Sequence, residues 1–287
     1  MANTISLFTQ CVPLLDEVYK LHALTGVLDG AQELVRQGSS ANELILPKMT
    51  LSGLADYDRN EGYAAGEVTL TTETVRCDYD RGRMFQVDAL DDEETAAIAF
   101  GHLSAEFIRT KVAPELDAFR LASYAGTEGI GAATGTLSTG TAVIQALRSA
   151  HAAMDEGEVP GDGRVLFITS ALKGAVDDLD TTASRAALAL ASQVIVVPQS
   201  RFYTAITLGS NGYSRRAAAS GISAGSDINF LLVHPSAVLQ YQKHVEPKVI
   251  RPEQNPDADA WKFGYRTVGV ARVLDNKTAG VYCHSKA

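Results

Sequence analysis

The sequence has few cysteines. Its 287 residues include three, Cys11, Cys77 and Cys283, which lie far apart and show no spacing typical of metal ligands. An odd number of scattered cysteines does not favour a disulfide framework. The cysteine pattern therefore indicates a reducing compartment and argues against a small domain held together by disulfides or a metal ion.

Long hydrophobic runs are also missing. No apolar stretch approaches the ~18–20 residues that a membrane span needs. Residues 1–20 lack the charged and then apolar order of a signal peptide. We therefore expect the protein to be made and kept in a cytoplasm, without a membrane segment.

Positive charge is scarce. The chain has 34 acidic and 25 basic residues, a formal net charge of −9 and a pI near 5.2. A general nucleic-acid binder would present a basic face, whereas an acidic wall would repel phosphates and leave an enclosed nucleic acid mobile. A hydrophobic content of 46% with 21% charged residues indicates a folded protein.

Catalytic motifs are absent from the sequence. The nearest candidate is Gly129–Gly135, which reads GxGxxxG instead of GxGxxG and follows a predicted helix. A dinucleotide-binding turn follows a strand, so a flexible glycine hinge is the preferred interpretation. No Walker lysine, GxSxG serine or HExxH pair is present.

The ionisable residues form no recognisable site. Acidic clusters occur at residues 88–94, 177–180 and 257–259, and helix capping explains the first while loop solubility explains the others. No two histidines are spaced four apart in the set His22, His102, His151, His234, His244 and His284. The sequence therefore assigns no catalytic, cofactor-binding or metal-binding residue, and no enzyme is predicted.

The longest predicted helix covers Asp91–Ala125. Asp91 is placed to cap its start, and Glu94 follows three residues later as in a capping box. Pro114 lacks a backbone N–H and predicts a kink or break near Ala113. Apolar residues recur close to a 3.6-residue period at Ala96, Phe100, Leu103, Phe107 and Ile108.

The sequence before this helix predicts two segments that lack a core of their own. Residues 3–37 read as short amphipathic helices with too little apolar surface for a core of their own. Residues 43–90 read as a β excursion with strands at Glu43–Met49, Glu67–Cys77 and Arg83–Val87 and a turn at 78–82. Such an excursion is either a solvated arm or an arm that finds its partner on another molecule.

The chain after the helix predicts an α/β region at residues 129–243. Its helices are expected at 141–154 and 171–179, and its strands alternate with them as continuous apolar runs. The buried strands are predicted at Arg164–Thr169, Gln193–Val197 and Ile228–Val233. Trp261–Val273 and Gly280–Cys283 are predicted to close an antiparallel region.

Several runs together resemble the major capsid proteins of tailed bacteriophages. They are TVRCDYDRGRMFQVDALDD at 74–92, VAPELDAFR at 112–120, INFLLVH at 228–234 and DADAW at 257–261. The match runs in order along nearly the whole chain. The resemblance implies an α+β protein with the Hong Kong 97-type capsid fold.

That fold implies a division of the chain into five parts. They are an N-terminal arm (1–42), an extended β loop (43–90), a peripheral domain with its long spine helix (91–128), an α/β axial domain (129–243) and returning peripheral strands (244–287). No N-terminal scaffolding segment is expected within these parts, so the resemblance implies a separate scaffolding protein.

The resemblance also implies partners and a location. The chain is expected to form pentamers and hexamers of an icosahedral shell that encloses double-stranded DNA without sequence-specific binding. A portal protein and, in some members, a decoration protein join the shell. The virion capsid is the expected location, with assembly in the host cytoplasm.

Some members of the family form a Lys–Asn isopeptide cross-link, which is not expected here. The loop tip offers Arg59 and Asn60 but no lysine, and Lys48 lies near its base. Two alternatives stay open for the function. One is the shell of an encapsulin-type bacterial nanocompartment, and the other is a soluble α/β enzyme that binds a nucleotide.

Overall fold

The computed structural model describes residues 23–29, 36–37, 43–57, 59, 62–63, 65–90 and 98–287. Within these ranges no helix is both long and apolar enough to cross a bilayer. The strands are β1 (Arg36–Gln37), β2 (Glu43–Leu51), β3 (Val68–Arg76), β4 (Tyr79–Asp88), β5 (Gly131–Thr134), β6 (Val165–Thr169), β7 (Gln193–Val197), β8 (Ile206–Gly209), β9 (Gly212–Arg215), β10 (Ile228–Val233), β11 (Val238–Ile250), β12 (Ala260–Val273) and β13 (Val281–Ser285). The α-helices are α1 (Ile98–Phe107), α2 (Ala113–Ala125), α3 (Gly140–Glu156), α4 (Ser170–Asp177) and α5 (Thr182–Ala189).

A five-stranded mixed sheet in the order β5-β13-β10-β6-β7 carries the largest core. Every residue of β6, β10 and β13 is buried, which explains the nearly continuous apolar sequences of β6 and β10. Phe167 and Leu231 face one side of the sheet, where they belong to the same core as Leu121 of α2. Leu166 faces the other side and shares its core with Leu147 of α3.

Helix α3 forms because its apolar residues repeat at helical spacing. Thr139 caps its start by accepting a hydrogen bond from the Ala142 backbone N–H at 3.3 Å. Val143, Leu147 and further apolar residues of the same stripe are buried against the sheet. The predicted helix at 141–154 is therefore confirmed.

The long predicted helix is present from Ile98 to Ala125 as α1, a π-helical turn (Ile108–Val112) and α2. It packs across a second sheet in the order β11-β12-β4. The Phe107 ring is the centre of this contact, since its centroid lies 4.8 Å from that of Phe85 and 6.3 Å from that of Tyr265. The predicted cap at its start falls on residues 91–97, outside the described residues.

The irregularity near Pro114 is a π-helical turn, and the helix continues through it. The Ala113 backbone N–H donates to the Ile108 carbonyl, five residues back. Pro114 then follows this turn as the second residue of α2. The extra residue in the turn accommodates the proline ring, which would clash with a regular α-helical carbonyl.

Strands β2 and β3 form a long antiparallel hairpin that extends away from the core. At its base Leu44 pairs with Val75, and both are buried against Leu239 and Val270. Among the described residues β1 covers only Leu44 and its neighbour in β2, so that edge of β2 has no described partner strand from residue 46 onwards. A proline is tolerated at such an open edge, which accounts for the one at position 47.

The predicted turn at 78–82 is wrong. Residues Tyr79–Gly82 begin β4 and pair with Gly269–Arg266 of β12, so the connection is only Cys77–Asp78. Tyr79 is buried beside Phe119, at 4.7 Å between ring centroids. This long-range packing outweighs the local turn preference of the Asp and Gly residues.

Two further strand predictions need correction. Gly280–Cys283 was expected to join the antiparallel region of Trp261–Val273, but β13 lies in the mixed sheet, between β10 and β5. Gln193–Val197 does form a strand, but β7 is an edge strand in which only Val197 is buried. Helix α5 was not predicted, because it is short and half of its eight residues are alanine.

Candidate assembly surfaces

A buried carboxylate in α2 holds the segment 23–29, which we call the strap. The fully buried Asp117 accepts hydrogen bonds from the backbone N–H of Leu24 at 3.0 Å and Thr25 at 3.1 Å, and from Thr25 Oγ1 at 2.7 Å. Arg201 lies 3.4 Å away. Burial raises the pKa of Asp117, and the bonds from the strap partly offset this effect.

Arg120, one turn further along α2, completes the attachment of the strap. Its side chain is 2% exposed, donates to Thr25 Oγ1 at 3.0 Å and lies 3.9 Å from the Asp29 carboxylate. Gln240 of β11 donates to the Thr25 carbonyl at 2.9 Å and to Asp29. Gln240 is itself oriented by the Tyr124 hydroxyl at 2.8 Å. Two elements that are distant in sequence therefore hold the strap.

A third charged residue of α2, Glu115, faces β4. It accepts a hydrogen bond from Arg81 Nε at 2.7 Å and one from the Tyr79 hydroxyl at 3.3 Å. Burial and the adjacent Glu115 carboxylate raise the pKa of the Tyr79 phenol, so it stays protonated. The pKa of Arg81 is raised by the same carboxylate.

Two arginines of β4 also hold the tip of the β8–β9 hairpin. Arg81 Nη2 donates to the Gly209 carbonyl at 2.7 Å. Arg83 donates to the Ser210 carbonyl at 3.2 Å and to Asn211 Oδ1 at 2.8 Å. These bonds connect the sheet under the long helix to the hairpin that follows β7.

A cleft of about 1350 Å³ opens between β4, the long helix and the β8–β9 hairpin. Its apolar lining includes Phe85, Leu103, Phe107, Val112, Tyr213 and Tyr265. Its basic residues are Arg81, Arg83, Lys111, Arg201 and Arg215, against two acidic ones, Glu106 and Glu115. The cleft is therefore apolar inside and carries more positive than negative charge.

The far half of the β2–β3 hairpin exposes an apolar face. Met49 pairs with Leu70 and Leu51 pairs with Val68, so the four side chains lie on one face. They are 60%, 64%, 63% and 64% exposed, respectively. The opposite face carries Thr69 and other polar residues. A contiguous exposed apolar face of this kind marks an interaction surface.

The glycine-rich stretch makes close packing contacts. Gly129 has a φ of +80°, which favours glycine. A Cβ on Gly131 would lie 2.5 Å from the Tyr282 ring, so close approach of β5 and β13 requires glycine there. The Gly135 carbonyl accepts a hydrogen bond from Asn229 at 2.9 Å. The stretch forms an edge strand, and α3 begins only after it.

The described histidine side chains all contact a neighbouring side chain. His151 is buried beside Arg164, with 3.2 Å between Nδ1 and Nη1. His284 stacks on Phe230 at 5.2 Å, and His234 Nδ1 lies 2.7 Å from Ser236 Oγ. His22 lies outside the described residues, and the side chains of His102 and His244 are not described.

The cysteines and the possible metal ligands form no site within the described residues. Burial raises the pKa of the Cys283 thiol to about 12, so it is not a reactive thiolate. Cys77 is half-buried and Cys11 lies outside the described residues. Across the described ranges no three His, Cys, Asp or Glu residues are arranged to hold a metal ion.

The sequence analysis missed the charged cluster of α2. Glu115, Asp117 and Arg120 lie within an otherwise apolar helix, and their burial follows from that position. Charges on the buried stripe of a helix indicate partners elsewhere, and that signal was available. The identity of the partners was not, because Leu24 is separated from Asp117 by 93 positions.

No protein-family model matches the sequence, and no curated protein matches it. Solved structures do match. The chain is similar to a structure from Mycobacterium phage Che8, at 16% identity and a TM-score of 0.56, over 86% of this chain and 85% of that one. It is similar to the head structure of Helicobacter pylori bacteriophage KHP40, at 13% identity and a TM-score of 0.56, over 92% and 90%.

A third similar structure is a virus-like particle from Pyrococcus furiosus. The identity is 8% and the TM-score 0.55, and the match covers 98% of this chain and all (100%) of that one. The chain thus has the mixed helix-and-sheet fold of these structures. The fold class expected from the resemblance is confirmed.

Proposed function

We propose that this chain is a structural protein that assembles into the icosahedral shell around the genome of a tailed bacteriophage, as its major capsid protein. The observation that carries the proposal is the exposed apolar face of the β2–β3 hairpin. On a fold shared with phage heads, such a face is an intersubunit contact. Obligate interfaces of this type commonly bury roughly 2,000 Å² or more.

The proposed parts of the subunit follow the division expected from the resemblance. The arm (1–42) is attached through the strap, the extended loop (43–90) contains the exposed hairpin, and the spine helix (91–128) supports both. The axial domain (129–243) and the returning strands (244–287) complete the subunit, with β13 contributing to the axial sheet.

The proposed partners are other copies of the chain in pentamers and hexamers, a separate scaffolding protein, a portal protein and a decoration protein. The net charge of −9 supports enclosure of double-stranded DNA without sequence-specific binding. The virion is the proposed location, with assembly in the host cytoplasm and no isopeptide cross-link.

Electron microscopy of the expressed chain, alone and with co-expressed neighbouring genes, tests the proposal. We expect closed shells or shell-like sheets of megadalton mass. A chain that stays a small oligomer under every condition would contradict the proposal. A denaturing gel of the particles checks the cross-link, since covalent ladders would contradict its absence.

A second candidate function is the shell of a protein-filled nanocompartment. The match to a virus-like particle over nearly the full length of both chains favours it. Both functions predict closed particles, so the contents decide between them. Nuclease-protected double-stranded DNA supports the phage capsid, and a co-purifying enzyme inside the shell supports the nanocompartment.

A further inference from the structure

We propose that Arg83 of β4 and Lys111 of the long helix form a binding site for an amphipathic organic anion. Its carboxylate or phosphate group lies between the two side chains, and its apolar body lies along the cleft. The proposal does not depend on the proposed function, since it concerns a small ligand bound by a single subunit. It rests on the register of β4 against the helix, on the charges at this point, and on the apolar lining beside it.

Strand β4 and the long helix lie side by side in a regular register. Two residues of a strand advance roughly 6.6 Å and four residues of a helix about 6 Å, so alternate strand positions meet every fourth helix position. Three such contacts are observed, and they are Tyr79 with Phe119 at 4.7 Å between ring centroids, Arg81 Nε with Glu115 at 2.7 Å, and Phe85 with Phe107 at 4.8 Å between ring centroids. Between the second and the third contact, this register places Arg83 opposite Lys111.

This position brings two cations together, whereas the contacts on either side pair opposite charges or aromatic rings. Arg83 and Lys111 are both exposed, and both line the cleft. Among the described residues Lys111 makes no hydrogen bond or ion pair. Arg83 bonds only to the neutral groups of Ser210 and Asn211. Facing cations repel each other, and an anion between them replaces that repulsion by two attractions.

The acidic groups of the cleft do not neutralise this pair. Glu106 is held by Arg109, at 2.6 Å and 2.9 Å to its two carboxylate oxygens. Glu115 is held by Arg81 at 2.7 Å. The two other arginines of the lining have aspartate partners. The positive charge that lacks a carboxylate partner is therefore concentrated at one point of the cleft.

The cleft is apolar next to this point. Phe85 and Phe107 lie one step further along the strand and the helix, and Leu103 lies one helical turn beyond them. All three side chains are half-buried. Thr267 Oγ1 in β12 also lines the cleft, is buried and has no hydrogen-bond partner among the described residues. Ligand sites combine such an apolar lining with a few placed polar groups, and a volume of about 1350 Å³ holds a small ligand.

Arginine and lysine suit the anionic group of such a ligand. The Arg83 guanidinium presents a planar fork that matches a carboxylate or a phosphate, and the Lys111 ammonium adds a compact charge. An apolar chain or ring attached to that group would cover Phe85 and Phe107. The chemistry of the site therefore favours an anion with an apolar body over an inorganic ion.

Calorimetric titration of the purified chain with octanoate tests the site. We expect saturable binding with a dissociation constant on the order of 0.1 mM. Arg83→Gln and Lys111→Gln should each weaken it about tenfold, because each removes a charged donor. Lys248→Gln makes the same change as Lys111→Gln on exposed β11, outside the cleft lining, and should stay within about twofold of the parent. No saturable binding, or equal binding by the parent and both cleft variants, would overturn the proposal.

Two comparison ligands separate the anionic group from the apolar body. Octanol keeps the chain without the charge and should bind at least about tenfold more weakly than octanoate. Inorganic phosphate keeps the charge without the chain and should also bind more weakly. Equal affinity for octanol and octanoate would overturn the anion site, and equal affinity for phosphate and octanoate would overturn the apolar part of the assignment.

Thermal unfolding distinguishes a lost site from a damaged fold. Lys111→Gln removes one of two facing cations, so without ligand its thermal midpoint should equal or exceed that of the parent. Octanoate should raise the midpoint of the parent and of Lys111→Arg, which keeps the charge, but hardly that of Lys111→Gln. Equal stabilisation of Lys111→Gln and the parent by octanoate would contradict the proposal, as would a lower midpoint of Lys111→Gln without ligand.

Discussion

Helix α2 and the β2–β3 hairpin distribute polar and apolar side chains in opposite ways. The helix buries Asp117 and Arg120 inside the subunit, where both are satisfied by the strap. The hairpin holds Leu51 and Leu70 outside, in water. Most soluble folds place these residue types the other way round.

The difference separates two kinds of attachment. Buried hydrogen-bonded charges hold one part of the subunit against another, and losing one partner costs about 3–5 kcal/mol because the other charge is left buried. Exposed apolar side chains contribute nothing to the isolated subunit. Each contributes roughly 1–2 kcal/mol only when a second molecule covers it. The first region serves the fold, and the second serves the assembly that we propose.

The most damaging change should be Phe107→Asp, because Phe107 packs the long helix against the β11-β12-β4 sheet. A carboxylate would enter the aromatic contact with Phe85 and Tyr265, at a cost of about 4 kcal/mol or more. We expect no particles and no cooperative thermal transition. Phe107→Leu keeps the site apolar and should still assemble, whereas normal particles from Phe107→Asp would contradict this account of the long helix.

The next largest effect should come from Asp117→Ala, which removes the buried carboxylate of α2. Leu24 and Thr25 lose their acceptor and Arg120 loses a nearby charge, at a cost of about 3–5 kcal/mol. Denaturant unfolding measures the loss, and limited proteolysis should cut within the strap. Asp117→Asn keeps an acceptor oxygen and should lose less stability than Asp117→Ala. Equal stability of the parent and Asp117→Ala would show that the strap is held by other contacts.

The Leu51→Ser, Leu70→Ser double variant tests the role of the exposed apolar face of the hairpin. The free energy of unfolding should change by no more than about 0.5 kcal/mol per site, since both residues are exposed. Assembly should weaken by roughly 2–4 kcal/mol per interface, which sedimentation measures as a higher concentration threshold for particles. Thr69→Ser, on the opposite face, is the matched control. Loss of stability without loss of assembly would reverse the roles of the two regions.

The smallest expected effect on stability concerns a second buried cation, which lies outside α2. Arg164 is 2% exposed and bonds Asp155 at 2.6 Å, and burial together with the charge of Arg164 lowers the pKa of His151. A lowered histidine pKa means that the unfolded chain binds the proton more tightly. The contribution of His151 to the free energy of unfolding is therefore fully present above pH 6.5, the ordinary histidine pKa, and is lost as the pH drops below it.

The measurement compares thermal midpoints at pH 8 and pH 5.5 for the parent and His151→Gln. Gln cannot titrate, so the variant should lose less stability on acidification than the parent. The same pH dependence in both proteins would show that other groups, such as the buried carboxylates, account for the acid sensitivity.

Local sequence predicted the elements that show a continuous apolar run or a helical period. The runs VLFIT and INFLLV are strands because both their faces are covered, and the long helix follows from its 3.6-residue period. The exposed hairpin was also predictable, since β-branched residues and low apolar content describe a strand pair without a core.

Elements that depend on distant partners were not predictable. Tyr79–Gly82 carries a turn sequence but becomes strand because β12 pairs with it. The role of Asp117 depends on Leu24 and Thr25, which are more than 90 positions away. Residue spacing within α2 contains no information about which segment will supply those donors.

The position of β13 has a consequence for synthesis on the ribosome. This strand lies between β10 and β5, so the mixed sheet stays in two pieces until residues 281–285 have emerged. The 48 residues from Val233 to Val281 take about 2–10 s to translate at roughly 5–20 residues per second. During that interval the nascent chain can already display its hairpin but has no finished sheet.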